Sequence, residues 1–205
     1  QKRRTRATIA KEKGLEPLAE YIMKQDAESD ILTEAAKYIL EEEGKEVKSA
    51  EDAAAGALDI IAEQISDVAD YRTYIRDITF KEGKIVVAAK DAEAESVYEN
   101  YYDYNEAIAS IPGHRILAIN RGENEKFLTV KVEAPEDRVL RYLAKQIIKD
   151  DNEYTTPYLT ECIKDAYNRL IAPAIEREIR NTLTETAEDG AIKVFGKNLE
   201  QLLLQ

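Results

Sequence analysis

The sequence predicts a mainly α-helical, multi-helical fold with a small two-stranded β element. Apolar residues recur at the spacing of one helix face along most of the chain. Only 8 glycines and 5 prolines occur in 205 residues, which argues against a loop-rich or all-β protein. Two short β-branched segments bounded by turn residues, 84–88 and 127–132, predict the strands. A chain of this length can bury a core without disulfides or metals.

The start of the chain predicts a helix-turn-helix-like unit. Two short helical patterns are separated by a Gly-Leu turn, and Pro17 occupies a position typical of a helix start. A third helix is predicted over residues 33–43, with Thr33 as its N-cap. We therefore expect residues 1–44 to form one domain and residues 45–205 to form a helical scaffold domain that carries the β element.

The predicted scaffold domain opens with the clearest helical pattern in the chain. This pattern begins at Ser49, which has the form of a capping residue, and continues to about Thr79. Shorter helices are predicted beyond the first strand. Pro112 is placed to start a helix over residues 114–120, and apolar spacing predicts another over residues 136–149.

The last third of the chain predicts two further helices. A long helix over residues 156–186 starts with Thr156 as its N-cap. Pro173 should kink this helix, because proline cannot donate a backbone hydrogen bond. A terminal amphipathic helix is predicted over residues 190–205. Cys162 lies within the apolar pattern of the long helix, which favours a core position over a reactive thiol.

Positive charge is concentrated at the start of the chain. The whole chain carries a net charge of −12, whereas residues 1–13 hold six basic residues and one acidic residue. An acidic body is repelled by phosphate backbones, so any direct nucleic-acid contact must be local. The candidate nucleic-acid-binding residues, which we name the basic head, are Lys2, Arg3, Arg4, Arg6, Lys11 and Lys13. The alternative is a solubilising or inter-domain segment that contacts an acidic protein surface.

The residue inventory excludes several kinds of active site. His114 is the only histidine and Cys162 the only cysteine, so a zinc site with several His or Cys ligands cannot form. A Ser-His-Asp triad could draw only on His114. The sequence has no dinucleotide-binding, phosphate-loop or calcium-loop motif. We therefore predict a protein that is not an enzyme, with no catalytic residues, metal site or cofactor.

Two polar segments are candidates for an interface. Residues 98–104 hold four tyrosines that could stack on bases, but the flanking acidic residues favour packing in a core or interface. The second segment surrounds an apolar helix face, and its candidate interface residues are His114, Arg115, Asn120 and Arg121. In the alternative, structural interpretation, these polar groups satisfy buried carbonyls or pair with acids.

Three segments resemble the Tex family of bacterial transcription accessory proteins. They occur in the same order over nearly the whole chain, at residues 2–10 with 14–19, residues 114–123, and residues 173–178 with 198–199. Gly113 departs from the family pattern, which has a serine before the His-Arg pair. The resemblance implies a cytoplasmic protein that binds nucleic acid and influences transcription.

The resemblance also implies domains that this chain does not contain. Family members carry an RNase-H-like domain, helix-hairpin-helix elements and a C-terminal OB-fold RNA-binding domain, and the main nucleic-acid contact is attributed to the last of these. The expected partners are therefore nucleic acid, either RNA or DNA, bound mainly through those domains, and the transcription machinery. No membrane partner is expected, because no apolar run approaches the roughly 20 residues of a membrane span.

The preferred hypothesis is a non-catalytic N-terminal scaffold and interaction region of a Tex-like transcription accessory protein. We expect its last two helices to bury their apolar stripes against the absent domains. The alternative is a direct DNA-binding helix-turn-helix module in residues 1–44. A DNA reader needs cations on its second helix, whereas Glu16 and Glu20 outweigh Lys24 there. The scaffold hypothesis therefore ranks first.

Overall fold

The computed structural model describes residues 3–204, and their contacts divide into two compact units. One unit comprises the chain up to Arg72 together with Asp137–Pro173, and the other comprises Thr73–Glu136 together with the chain from Ala174. The mainly helical fold class is confirmed. The predicted division into domains at residues 1–44 and 45–205 stays a prediction.

The helices and strands are numbered in chain order. The helices are α1 (Arg6–Glu12), α2 (Glu16–Met23), α3 (Ile31–Ala35), α4 (Ala50–Asp67), α5 (Ala69–Glu82), α6 (Gly113–Asn124), α7 (Glu136–Ile147), α8 (Thr156–Asp165) and α9 (Ala172–Leu203). The strands are β1 (Lys84–Ala89), β2 (Asp103–Ala107) and β3 (Leu128–Glu133). A π-helical segment, Ala166–Ile171, joins α8 to α9. Among residues 3–204, none of the helices has the length and apolar character that crossing a membrane requires.

Helix α4 lies at the centre of the first unit, where it packs against α1, α2, α3 and α8. It begins as the capping pattern predicts, because the Ser49 hydroxyl accepts a hydrogen bond from the Asp52 amide at 3.1 Å. Its buried positions are mostly alanine and isoleucine: Ala53, Ala54, Ala57, Ile60, Ile61, Ala62 and Ile65. The small alanine side chains allow the neighbouring helices to approach closely.

A third helix is present, but its predicted bounds, residues 33–43, and its predicted N-cap are wrong. Helix α3 begins earlier, because the carboxylate of Asp30, rather than Thr33, caps it by accepting a hydrogen bond at 2.9 Å from the amide two residues on. After α3, Leu40 pairs with Val47 in an isolated antiparallel β-bridge that closes a turn. Gly44 in this turn has a φ of +80°, a conformation that glycine adopts without steric cost.

The helix predicted from Ser49 to about Thr79 is two helices in the structure. Val68 adopts an extended conformation, with φ −74° and ψ 110°, and separates α4 from α5. The sequence around Val68 contains neither glycine nor proline, so it carries none of the local signals that mark a helix end.

The second unit contains a three-stranded antiparallel sheet in the order β2-β1-β3. The two predicted strands are confirmed as β1 and β3, in a register that places Lys84 opposite Glu133. The predicted two-stranded element is wrong, because β2 adds a third strand with Ala107 opposite Lys84. No residue of β2 is fully buried, and its polar sequence lacks the alternation of apolar residues that marks a strand.

The last third of the chain differs from the two predicted helices. Helix α9 is continuous, so the separate terminal helix predicted over residues 190–205 is wrong. Gly190 lies inside α9, and a single glycine weakens a helix without ending it. The kink predicted at Pro173 stays a prediction, but the π-helical segment lies just before this proline, which cannot donate the backbone hydrogen bond that would continue a regular helix.

Candidate functional site

The basic head lies on and around α1 in the first unit. Arg3, Arg4, Arg6 and Lys11 are exposed and Lys13 is half-exposed, whereas Lys2 lies outside the described residues. Helix α1 is capped by Thr5, whose hydroxyl accepts a hydrogen bond from the Thr8 amide at 3.1 Å. The Thr5 hydroxyl also donates to the Glu63 carboxylate at 2.8 Å, which ties the basic head to α4.

Several cations of the basic head face carboxylates of the same unit. The Arg4 guanidinium pairs with the Glu12 carboxylate at 2.5 Å. Burial raises the pKa of the half-buried Asp59 carboxyl, and the positive charges of Arg169 and Arg6 oppose that rise. A cation that already faces a carboxylate attracts phosphate less strongly, so the basic head is electrostatically weaker than its residue count indicates.

A cleft of about 420 Å³ opens between α1 and α4. Its charged lining is balanced, with three cations and three carboxylates: Arg6, Lys13, Lys48, Glu46, Asp52 and Asp59. Backbone amides chiefly lower the pKa of the Glu46 carboxyl, and Lys13 and Lys48 lower it further. Sequence reasoning missed Lys48, because the segment that brings it to α1 is remote in the chain. A cleft with balanced charge gives phosphate no net electrostatic advantage.

The exposed side of α2 is acidic rather than basic. Leu18, Ala19 and Ile22 form its buried face, and Glu16 and Glu20 lie on the exposed face. A helix that enters the major groove of DNA needs donors and cations on its exposed face. The elements of a helix, a turn and a helix are present, but a DNA-reading function for them stays a prediction.

Arg115, one of the four candidate interface residues, joins α6 to β2. Its guanidinium donates hydrogen bonds to a carboxylate oxygen of Glu106 at 3.0 Å and to the Tyr104 hydroxyl at 2.9 Å. The Tyr104 hydroxyl in turn donates to Glu106. This bond chiefly lowers the pKa of the Glu106 carboxyl, and Arg115 lowers it further. The three side chains fix the start of α6 against the sheet.

Asn120 joins α6 to α9. Its amide nitrogen donates to the Thr184 hydroxyl at 2.9 Å, and its carbonyl oxygen accepts a hydrogen bond from Arg180 at 2.9 Å. Arg180 also donates to both carboxylate oxygens of Glu123, at 2.8 and 3.4 Å. The segment over residues 114–123 therefore supplies the polar contacts that align α6 with α9.

The other two candidate interface residues, His114 and Arg121, lie exposed on α6. Within residues 3–204, neither side chain forms a hydrogen bond or an ion pair. Arg115 and Asn120 thus make intramolecular contacts, whereas an interface role for the exposed His114 and Arg121 stays a prediction. Sequence reasoning missed Glu106 and Arg180, because only the folded chain brings them to α6.

The tyrosine-rich segment packs against its own surroundings. Tyr98 lies against Phe127 with ring centroids 5.9 Å apart, and Tyr101 meets Tyr104 edge to face at 5.2 Å. The Tyr102 hydroxyl donates to a backbone carbonyl at 2.7 Å. These contacts leave the rings engaged with protein, which favours the packing interpretation over base stacking.

The last turns of α9 expose large apolar side chains. Ile192 is 68% exposed, Phe195 69% and Leu199 46%. Exposed apolar side chains at helical spacing are typical of a helix face that contacts another protein element.

Comparison with known proteins decides the family. The Tex central region-like family matches residues 26–195, which is most of the chain. The chain belongs to the Tex family. Protein YdcI of Bacillus subtilis is 51% identical over 208 residues, which cover 100% of this chain and 29% of that protein. Transcriptional accessory protein Tex of Neisseria gonorrhoeae is 32% identical, over 99% of this chain and 27% of its own length.

A human protein is also similar to this chain. S1 RNA-binding domain-containing protein 1 of Homo sapiens is 30% identical, over 98% of this chain and 21% of that protein. The Tex-family chain described here therefore spans less than a third of the length of each of these relatives.

Proposed function

We propose that this chain is a non-catalytic scaffold and interaction region of a Tex-like, nucleic-acid-binding transcription accessory protein. The observation that carries the proposal is the exposed apolar stripe at the end of α9, formed by Ile192, Leu199 and Leu203. These residues recur at helical spacing, as expected for a helix that packs against another domain. Relatives three to five times as long offer such domains.

In this proposal the parent protein holds nucleic acid mainly through other domains. The name of the human relative includes an S1 RNA-binding domain, which supports an RNA partner for the parent. The chain itself has a net charge of −12, and its basic head is partly neutralised by Glu12 and Asp59. Contact with the transcription machinery and a cytoplasmic location belong to the same proposal.

The non-catalytic part of the proposal is supported by the state of the reactive side chains. Cys162 is only 2% exposed, and burial raises the pKa of its thiol to about 12. A thiol held protonated in this way is a poor nucleophile. His114 is exposed and has no hydrogen-bond partner within residues 3–204 that could orient it as a general base.

The competing function is direct DNA reading by residues 1–44. The basic head and the succession of α1 and α2 favour it. The acidic exposed face of α2, with Glu16 and Glu20, opposes it. The scaffold function is therefore the better supported of the two.

The scaffold proposal is tested by placing aspartate at Leu199. In the full-length Tex protein, we expect Leu199→Asp to lower the free energy of unfolding by about 2 kcal/mol or more, because a packed apolar contact is lost. In the 205-residue chain alone the same change should be nearly neutral, since Leu199 is 46% exposed there. Thermal unfolding of both proteins gives the two values.

The matched control is Asn181→Asp, which adds the same charge at an exposed polar position of α9. It should leave both proteins unchanged. Equal stability of the wild-type and Leu199→Asp full-length proteins would show that this stripe does not pack on another domain and would contradict the proposal.

A further inference from the structure

A groove runs between α6 and the second half of α9, on a different side of α9 from Ile192. It has a volume of about 600 Å³. Its floor is narrow because the helices approach closely at one point, where a Cβ on Gly113 would lie 3.1 Å from the Cα of Ala187. Leu117 and Val194 lie on its walls. Val194 is 59% exposed, so the groove presents apolar surface to solvent.

The polar groups that line this groove are basic or neutral. Among residues 3–204, no carboxylate lines it, and its polar lining consists of His114, Thr186 and Asn198. By helical spacing, Lys197 on α9 and Arg121 on α6 extend the faces that line the groove. Glu188, three residues before Ala191, lies at the other edge of the groove, so the two cations outnumber the carboxylates there. Neither cation forms an ion pair within the described residues. The whole chain has a net charge of −12, so a groove whose described lining has no carboxylate and whose edge carries two unpaired cations differs from most of its surface.

The dimensions of the groove match a short helix. The residues of α9 that line it run from Leu183 to Asn198, which at 1.5 Å per residue is about 22 Å. A partner helix of three to four turns would fill that length, with its apolar side chains on the floor. Because cations lie at the rim of the groove, a helix bound there avoids repulsion when its flanks carry acidic rather than basic side chains.

We propose that this groove binds an amphipathic helix of a partner protein whose polar flanks are acidic. The apolar side of the helix lies against Leu117 and Val194, and its carboxylates meet Arg121, His114 and Lys197. Outside the basic head the remainder of the chain is acidic and repels such a partner, which favours the groove over most of the surface. This inference concerns the Val194 side of α9, whereas the scaffold proposal concerns the Ile192 and Leu199 side; Phe195 lies between the two sides and also lines the groove.

The experiment uses two designed 15-residue helical peptides and the 205-residue chain. Both peptides carry leucine at the positions of one helix face; one has glutamate on its flanks and the other lysine. Fluorescence anisotropy should show the glutamate peptide binding at least tenfold more tightly at low salt. The preference should shrink as salt rises, because exposed charge pairs are screened.

Two glutamate substitutions on α9 provide a matched pair. Val194→Glu introduces a carboxylate into the groove and should weaken binding of the glutamate peptide at least tenfold. Ile192→Glu makes the same change on another side of the same helix, at a residue that is also well exposed, and should change binding less than twofold. Lys197→Glu should abolish the preference for the glutamate peptide. Helix content by circular dichroism confirms that each variant is folded.

Four outcomes would overturn the inference. They are equal binding of the lysine and glutamate peptides, equal loss in the Val194→Glu and Ile192→Glu variants, displacement of the peptide by single-stranded RNA, and failure of the full-length protein to bind a peptide that this chain binds. The last would mean that the rest of the protein already covers the groove. Because none of these measurements involves Leu199, their failure is distinguishable from failure of the scaffold proposal.

Discussion

Gly83 shows how a single residue fixes the junction between α5 and β1. A Cβ at this position would lie 2.4 Å from the carbonyl oxygen of Thr79 and 2.9 Å from that of Glu133. Both atoms belong to the backbone, so neither can move aside without shifting a helix or a strand. The glycine is required here by close approach rather than by its own φ.

We therefore expect Gly83→Ala to destabilise the chain by about 1–3 kcal/mol, the usual cost of forcing an atom into a packed region. Denaturant unfolding provides the measurement. Gly196→Ala is the control: it lies inside α9, and a Cβ there would meet no described atom within 4 Å. It should stabilise the chain by up to about 1 kcal/mol, because alanine favours helix over glycine. Similar effects of the two substitutions would contradict the packing account of Gly83.

The sequence predicts the role of an individual residue only where its neighbours in the chain indicate that role. The basic head is visible because its cations are close in sequence, and Cys162 is recognisable as core from its apolar neighbours. Carboxylate partners that are distant in the sequence are not visible. Asp59 approaches Arg6 only because α4 packs against α1, and Glu106 approaches Arg115 only through the sheet.

At the scale of elements, local patterns predict helices well and their ends less well. The capping pattern at Ser49 correctly predicts the start of α4, whereas the extended Val68 has no sequence signal and the end of α4 was missed. Strand β2 was missed for a related reason. Its pairing partner β1 stabilises it through backbone hydrogen bonds, and its polar side chains do not report that pairing.

Gln25 connects elements that are far apart in the sequence. This buried residue has a φ of +57°, and its side chain lies at the end of α7. Its amide nitrogen donates to the Ile147 carbonyl at 2.8 Å, and its carbonyl oxygen accepts from the amides of Lys149 and Asp150 at 2.9 and 3.2 Å. One side chain thus satisfies three backbone groups at the end of α7 and just beyond it.

Removing this side chain should cost about 1–3 kcal/mol, because Gln25→Ala leaves buried backbone groups without a partner. Equilibrium unfolding in urea measures the change, and amide hydrogen exchange at Lys149 and Asp150 reports it locally. The comparison is Gln64→Ala, an exposed glutamine on α4 whose replacement should be neutral or slightly stabilising. An unaltered exchange rate at Lys149 in the Gln25→Ala variant would show that the side chain does not hold this segment.

At the scale of the whole molecule, positive charge and exposed apolar surface are concentrated in different segments of the chain. Positive charge is concentrated in a small basic head on an acidic chain, while exposed apolar surface is concentrated at the end of α9. The sequence predicts both features in outline. It does not predict that α9 is one continuous helix. The same helix therefore contacts Asn120 of α6 through Thr184 and carries the exposed apolar stripe that includes Leu199.

We propose that this Tex-family region is a scaffold whose basic head contributes at most a secondary nucleic-acid contact. The most direct measurement is the binding of the 205-residue chain to single-stranded RNA and duplex DNA between 50 and 200 mM salt. Its test variant changes Arg3, Arg4 and Arg6 to alanine, and its control changes three exposed lysines elsewhere: Lys81, Lys90 and Lys145.

We predict binding no tighter than the nonspecific range of roughly 10⁻⁴ to 10⁻⁶ M at physiological salt, with similar small losses in both triple variants. Submicromolar binding that weakens steeply with salt, disappears in the arginine variant and survives in the lysine control would contradict the scaffold account and place a nucleic-acid site in the basic head.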